Sequence, residues 1–316
     1  MVAYRMSKSY RTLLVYVMHN VNNMNLREKI KEAKYILFIT HTDLDGAGCA
    51  IAFNYALQFN EHAPNVERHY IGYDMIDDLV SDRLLENKIN YDLIIFADMS
   101  PSEHLGKALL EDERVHIIDH HKSRDYLSNN IANVCFDERN SATFLFWQLL
   151  HAGNVEVYKH TVNQIDAWDS WKLDSPYRKT GVLLNYYFKK LGIDLFVQSF
   201  ADFRQFTAEE EIEATGLKIK EETEISEILL TGKLKIDEDK RFFLAIEAKK
   251  HYPMGIAVIL MRDNTKYDKV EYIEVYTDID GVKKVSLYSD GKVDVSEIAK
   301  KHGGGGHKGA GGYIIK

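Results

Sequence analysis

Residues 35–46 read Tyr35-Ile-Leu-Phe-Ile-Thr40-His41-Thr-Asp43-Leu-Asp45-Gly46, an almost unbroken apolar run that ends abruptly in polar residues. Five apolar positions in a row, closed by a threonine, fit a strand covered on both faces better than one with a wet side. Ala47–Leu57 then reads as a helix, Val66–Tyr73 and Tyr91–Asp98 as strands, Glu103–Leu110 as a helix and Arg114–Asp119 as a fourth strand. Continuous apolar strands alternating with helices predict an α/β fold with a parallel sheet and helices on both faces. In such sheets the loops that do chemistry lie beyond the carboxyl ends of the strands, so the polar residues there carry the functional reading.

The rest of the chain agrees with an ordinary globular protein. Of its 316 residues 45% are hydrophobic and 28% charged, which excludes a disordered, collagenous or coiled-coil chain. The apolar runs Leu13–Met18, Tyr35–Thr40 and Leu93–Ala97 are far shorter than the ~20 residues that span a bilayer, and nothing after Leu13 resembles a signal-peptide cleavage site. Two cysteines, Cys49 and Cys135, are too few for a disulfide scaffold or a cysteine metal site and fit a reducing, cytoplasmic setting. The net charge of −8 is unevenly placed. Residues 1–233 carry −10 and residues 234–316 carry +2. An acidic body excludes sequence-blind binding of long nucleic acid, which needs a basic surface, and leaves the C-terminal part to contact an anion.

Helical segments follow from Ser141 to Phe200, and the proline-free, charged stretch Thr207–Thr231 reads as a helical connector. Beyond it Phe242–Ile246, Gly255–Met261, Val270–Thr277 and Val282–Ser289 read as strands. Val295–Lys301 is a helix before a glycine-rich loop, and Tyr313–Ile315 a last strand. The expected organisation is an extension at 1–23, an α/β catalytic domain at 24–200, a connector at 201–233 and a smaller α+β domain at 234–316.

The strand ends collect one kind of chemistry. The first is followed by His41, Asp43 and Asp45, the third ends in Asp98 and the fourth in Asp119-His120-His121; Asp166 and Asp169 come later. Each piece alone has an ordinary explanation. Asp-Leu-Asp-Gly is a common turn or helix cap, and a His-His pair is usually surface or satisfied core. Together, on one edge of one sheet, the carboxylates would raise one another's pKa values unless a cation sat among them. Oxygen and imidazole donors without thiolate suit Mn²⁺ or Mg²⁺. A pair of such ions, bridged by a carboxylate, clamps the attacking and leaving oxygens of a phosphoryl displacement, and Asp98 on the central strand is the natural bridge.

In order and spacing, His41-Thr-Asp43-Leu-Asp45-Gly46, Asp98 and Asp119-His120-His121-Lys122 resemble the first three motifs of the DHH phosphoesterase superfamily. Gly303-Gly-Gly-Gly306-His307-Lys308-Gly309-Ala310-Gly311-Gly312 is similar to the signature of its associated C-terminal domain. The resemblance implies that His41 and Asp43 hold one metal, Asp45 and His120 the other, and Asp98 both. It implies one more aspartate ligand, for which Asp166 and Asp169 compete; Asp166 is favoured because it ends an apolar stretch. Asp119 is expected to orient His120, and His121 to reach the phosphate or the leaving group. In the glycine loop, Gly304, Gly305 and Gly306 would offer unshielded N–H groups to a phosphate, with His307 and Lys308 beside them.

The expected protein is therefore a phosphoesterase using two divalent ions, Mn²⁺ preferred with Mg²⁺ or Co²⁺ as alternatives. Its expected substrates are short oligonucleotides or small nucleotides, as in the oligoribonuclease and 3′-phosphoadenosine 5′-phosphate phosphatase branch. Long duplexes and membranes are not expected partners, and a homodimer is compatible with the reading. The competing functions are a RecJ-like single-strand exonuclease, a cyclic or linear dinucleotide phosphodiesterase, and an inorganic pyrophosphatase or exopolyphosphatase. One departure bears on substrate. Relatives acting on short RNA often carry arginine before a serine upstream of the glycine loop, where this chain has Tyr288-Ser289, with Arg262 as a candidate replacement.

Overall fold

In the computed structural model, residues 26–86, 89–129, 133–151, 160–249, 265–279 and 281–315 are described. The extension 1–23, the expected strand Gly255–Met261 and Arg262 lie outside them. The chain separates into two compact units, one up to Glu211 and the other from Ile212.

The first unit is built on a five-stranded sheet, β1 (Tyr35–Thr40), β2 (Asn65–Tyr70), β3 (Leu93–Ala97), β4 (Val115–Asp119) and β5 (Val134–Phe136), in the order β2-β1-β3-β4-β5. Every pairing is parallel. Its helices include α1 (Leu44–Leu57), α2 (Ile76–Val80), α3 (Glu103–Leu109), α4 (Ala142–Leu150), α5 (His160–Asp169), α6 (Arg178–Leu191) and α7 (Ile193–Ser199). On one face Leu37, Ile39, Ile94, Phe96, Val115 and Ile117 form a core with Ile76 and Val80 of α2 and Leu109 of α3. On the other, Phe38 stacks on Phe53 of α1 with ring centroids 4.3 Å apart. A Cβ on Gly48 would lie 2.1 Å from Thr143 Oγ1, so only glycine lets α1 and α4 approach this closely. Burial on both faces explains why β3 reads as an unbroken apolar run.

Register places the site. Thr40 pairs with Ala97, and Ala97 with Ile118. The next residues in chain order, His41, Asp98 and Asp119, therefore stand side by side along one sheet edge. Two details differ from the expected elements. β2 ends at Tyr70, which puts Tyr73 in the turn that follows. β5 is only three residues long, too short to show a period.

The second unit holds a six-stranded mixed sheet in the order β10-β11-β9-β8-β7-β6. Its strands are β6 (Lys233–Ile236), β7 (Phe242–Ala248), β8 (Tyr272–Ile279), β9 (Val282–Tyr288), β10 (Gly305–Gly306) and β11 (Ala310–Ile315). β7 and β8 run parallel and the other pairs antiparallel. The stretch expected to be helical, Thr207–Thr231, holds α8 (Ala208–Leu229), and α9 (Val295–Lys301) lays Val295, Ile298 and Ala299 on Phe243, Tyr272, Val285 and Leu287. β6, unforeseen from sequence, is an edge strand exposed along its whole length, so no buried face marks it. No described helix is long and apolar enough to cross a membrane.

Candidate metal centre

Asp43 caps α1, its Oδ1 accepting the N–H of Gly46 at 3.0 Å. A Cβ on Gly46 would stand 2.1 Å from the His41 carbonyl oxygen, so glycine is what lets the helix start this close to the end of β1. Asp45, in the first turn, is 1% exposed, and its carboxylate accepts the N–H groups of Ala142 (2.8 Å) and Thr143 (2.9 Å) at the start of α4. A carboxylate there is favoured by the unpaired donors of the helix N-terminus.

Asp98 follows β3 in a left-handed conformation, φ +59°, uncommon for a residue with a Cβ and held by its surroundings. Its N–H donates to Ile118 O at 2.8 Å, and its carbonyl oxygen accepts the hydroxyl of Tyr73 at 3.1 Å. The turn brings its carboxylate between two histidines, with Oδ1 3.3 Å from His120 Nε2 and Oδ2 4.0 Å from His41 Nδ1. Ligand atoms of His41, Asp43 and Asp98 lie within 4.8 Å of one another, and so do those of Asp45, Asp98 and His120. Asp98 belongs to both groups.

Two sequence expectations need correction. The fourth carboxylate facing the centre is Asp169, the last residue of α5, with Oδ2 3.2 Å from His120 Nε2. Asp166, one turn earlier, points elsewhere: Oδ1 accepts the Ser141 N–H at 2.8 Å, and Oδ2 is held by the Lys172 ammonium. For Asp119 the structure shows a different ring from the expected one. Its Oδ1 accepts the backbone N–H of His120 (2.7 Å) and of His121 (3.0 Å) and lies 2.8 Å from His121 Nδ1, while Ser100 donates to its Oδ2 at 2.6 Å. The ring it orients is that of His121.

Electrostatics tests whether these residues fit a cation. Both carboxylate oxygens of Asp98 and Oδ2 of Asp169 are buried without a hydrogen-bond partner, a costly state for an anion. Burial, reinforced by Asp45, Asp43 and Asp169, pushes Asp98 well above the usual carboxylate range. Burial and the Asp45 charge push Asp169 up to about 8. Asp43 goes the other way: burial would raise it, but His41 beside it holds it low. His41 and His120 are raised against the effect of their burial, His41 chiefly by Asp43 and His120 by Asp169 and Asp45. Oxygen and imidazole donors crowded until they repel, with orphaned oxygens among them, are the donor set of a hard or borderline divalent cation.

This has a measurable consequence. Asp98 and Asp169 have folded-state pKa values above their unfolded ones, so the native state holds extra protons from about pH 4 upward. Stability from these groups is complete below that range and is lost as pH rises through about 8 for Asp169. A divalent cation replaces those protons. Millimolar Mn²⁺ is therefore expected to raise the melting temperature of chelator-treated protein by about 5 °C near pH 8 and by less than half of that at pH 5.5. Thermal scans at both pH values check this; an equal or larger gain at pH 5.5 contradicts it.

In the second unit the glycine stretch is a hairpin rather than an open loop. Gly305 pairs with Gly312 and Gly306 with Gly311. The N–H groups of Gly303, Gly304 and His307 donate to Lys300 O, Ala299 O and Ala310 O, so these three are committed inside the fold. A Cβ on Gly304 would lie 2.0 Å from Gly312 O, and Gly306 has φ +140°. The glycines serve close backbone approach, and the expected cradle of unshielded N–H groups is reduced accordingly. His307 is half-buried and Lys308 exposed. Tyr288 pairs with Ala310, and Ser289 N–H donates to Gly309 O, so both lie against this hairpin.

Sequence reasoning missed Tyr73 and Ser100. Tyr73 touches the His41 ring at 5.3 Å, the Asp98 carbonyl and His121. Its position just past a strand end was the available signal.

Among curated proteins, the oligoribonuclease NrnB of Bacillus subtilis is 26% identical over 301 residues, covering 87% of this chain and 72% of that protein. An exopolyphosphatase-related protein from Bacteroides fragilis superposes with a TM-score of 0.58 at 13% identity, covering 94% of this chain and 91% of its own. The exonuclease RecJ bound to manganese superposes at 0.51 and 16% identity, with 94% and 90% covered. At these identities the structural likenesses show a shared fold. Residues 35–168 match the family model described as DHH family, N-terminal domain.

Proposed function

We propose that the protein is a metal-dependent phosphoesterase that hydrolyses short oligonucleotides. The observation that carries the reading is the pair of ligand groups, His41/Asp43/Asp98 and Asp45/Asp98/His120, sharing one buried carboxylate at one sheet edge. Asp169 completes the second group from α5. Two divalent ions, Mn²⁺ preferred, fit these donors; when bound they activate the attacking water and neutralise charge on the phosphate. His121, set by Asp119, supplies a proton to the departing oxygen. His307 and Lys308 on the glycine hairpin are the phosphate-contacting side chains of this reading. The choice of short oligonucleotides over other phosphoesters rests on the similarity to oligoribonuclease NrnB and on charge. With −10 over residues 1–233, a long polyanionic strand is disfavoured relative to a short one.

End-labelled RNA and DNA of two to twenty-four nucleotides, assayed with Mn²⁺ at two salt concentrations, test it. Catalytic efficiency is expected to fall about tenfold or more beyond roughly five nucleotides, with a shallow salt slope from two or three phosphate contacts. Efficiency that rises with length on a steep salt slope would instead mark a processive exonuclease. Turnover of inorganic polyphosphate alone would mark a polyphosphatase.

A further inference from the structure

Tyr73 stands in the turn after β2, inside the first unit, and meets the candidate site at three points. Its Oη is 3.1 Å from the Asp98 carbonyl oxygen and 2.8 Å from His121 Nδ1. Its ring lies edge-on to the His121 ring at 5.1 Å and 72°, and 5.3 Å from the His41 ring. The Arg124 guanidinium sits 5.5 Å from its centroid, and the Arg124 N–H donates to His121 O at 2.8 Å. The turn carrying His121 is thus folded around this phenol.

The hydrogen bonds decide which atom carries which proton. A phenol has one hydrogen, and a carbonyl oxygen can only accept, so the Tyr73 hydroxyl donates to Asp98 O. The contact with His121 Nδ1 then needs a hydrogen from the histidine. Asp119 imposes the same requirement, since its Oδ1 accepts the backbone N–H groups of His120 and His121 and lies 2.8 Å from Nδ1. Two acceptors converge on one N–H, and the tautomer is fixed by geometry on both sides.

We propose that Tyr73 is a positioning residue that holds His121 as the Nδ1–H tautomer, with Nε2 as the nitrogen that serves the departing oxygen. The proposal rests on the phosphoesterase reading for its catalytic half and on the hydrogen-bond geometry alone for the tautomer. Nothing in the DHH-like motifs points to it, because Tyr73 is 25 residues from Asp98 and 48 from His121.

The test has two arms. In the first, nitrogen-15 NMR of the full chain loaded with diamagnetic Mg²⁺ reads the His121 ring and needs no substrate. A protonated Nδ1 is expected, and a bare Nδ1 overturns the proposal. In the second, Tyr73→Phe is compared with wild type on a dinucleotide and on the p-nitrophenyl ester of a nucleotide, whose leaving group departs without a proton. Loss of one positioning hydrogen bond is expected to lower kcat on the dinucleotide about tenfold, with KM within about twofold, and to leave the ester rate within about twofold. Equal losses on both substrates, or none on the dinucleotide, overturn it, since a merely structural role would move both alike. A wild-type chain inactive on both substrates instead refutes the phosphoesterase reading and with it the catalytic half, while the NMR arm still decides the tautomer.

Discussion

Asp98→Asn is expected to lower turnover by about 10³-fold or more and to abolish the melting-temperature gain from Mn²⁺. The reason is its double membership: one carboxylate takes part in both ligand groups, so its removal disarms both together. Asparagine is the informative replacement because it tolerates the left-handed backbone at φ +59°, where alanine would add a backbone cost of about 1–2 kcal/mol. The sign of the stability change is itself diagnostic. In the absence of metal Asp98 is pushed far above its usual range by burial and by three neighbouring carboxylates, so folding at pH 8 must hold a proton there that a neutral amide does not need. The metal-free variant is therefore expected to melt at or above the metal-free wild type at pH 8. Turnover within about tenfold of wild type, with the metal response retained, would remove Asp98 from the bridging position.

The second large effect separates two aspartates three residues apart. Asp169→Asn is expected to cost about 10²-fold or more in turnover and to weaken metal binding, since its Oδ2 faces His120 at 3.2 Å with no other partner. Asp166→Asn leaves one oxygen to accept the Ser141 N–H but sets an uncharged amide group against the Lys172 ammonium, so its expected cost is about 1–3 kcal/mol of stability. Turnover per folded molecule is expected to stay within about tenfold. Melting curves, metal titration and kcat on both variants decide the matter. If Asp166→Asn shows the larger metal defect, the assignment of the fourth carboxylate reverses.

Much of the architecture was legible before any coordinates. Runs such as Leu93–Ala97 are apolar at every position because helices cover both faces of the sheet, and that pattern belongs to parallel sheets. Once the sheet is parallel, polar residues after each strand must gather at one edge, which is why His41, Asp98 and Asp119 were recognisable as neighbours across nearly 80 residues.

What only the tertiary structure decided lies at the level of which atom faces which. Asp166 and Asp169 share a helix three residues apart, so helical periodicity puts both on the same face and cannot choose between them. The choice was made by Lys172 and the N-terminus of α4, which occupy Asp166 and leave Asp169 to His120. The target of Asp119 turned on backbone direction after β4, and the contact of Tyr73 on a turn packed against another turn far along the chain. The glycines of 303–306 carry no side chain to signal a partner, so their pairing with Gly311 and Gly312 became visible only in the folded sheet. Periodicity and steric need act along the chain and leave a trace in it, whereas the orientation of a carboxylate or a ring is set by groups the chain brings in from elsewhere.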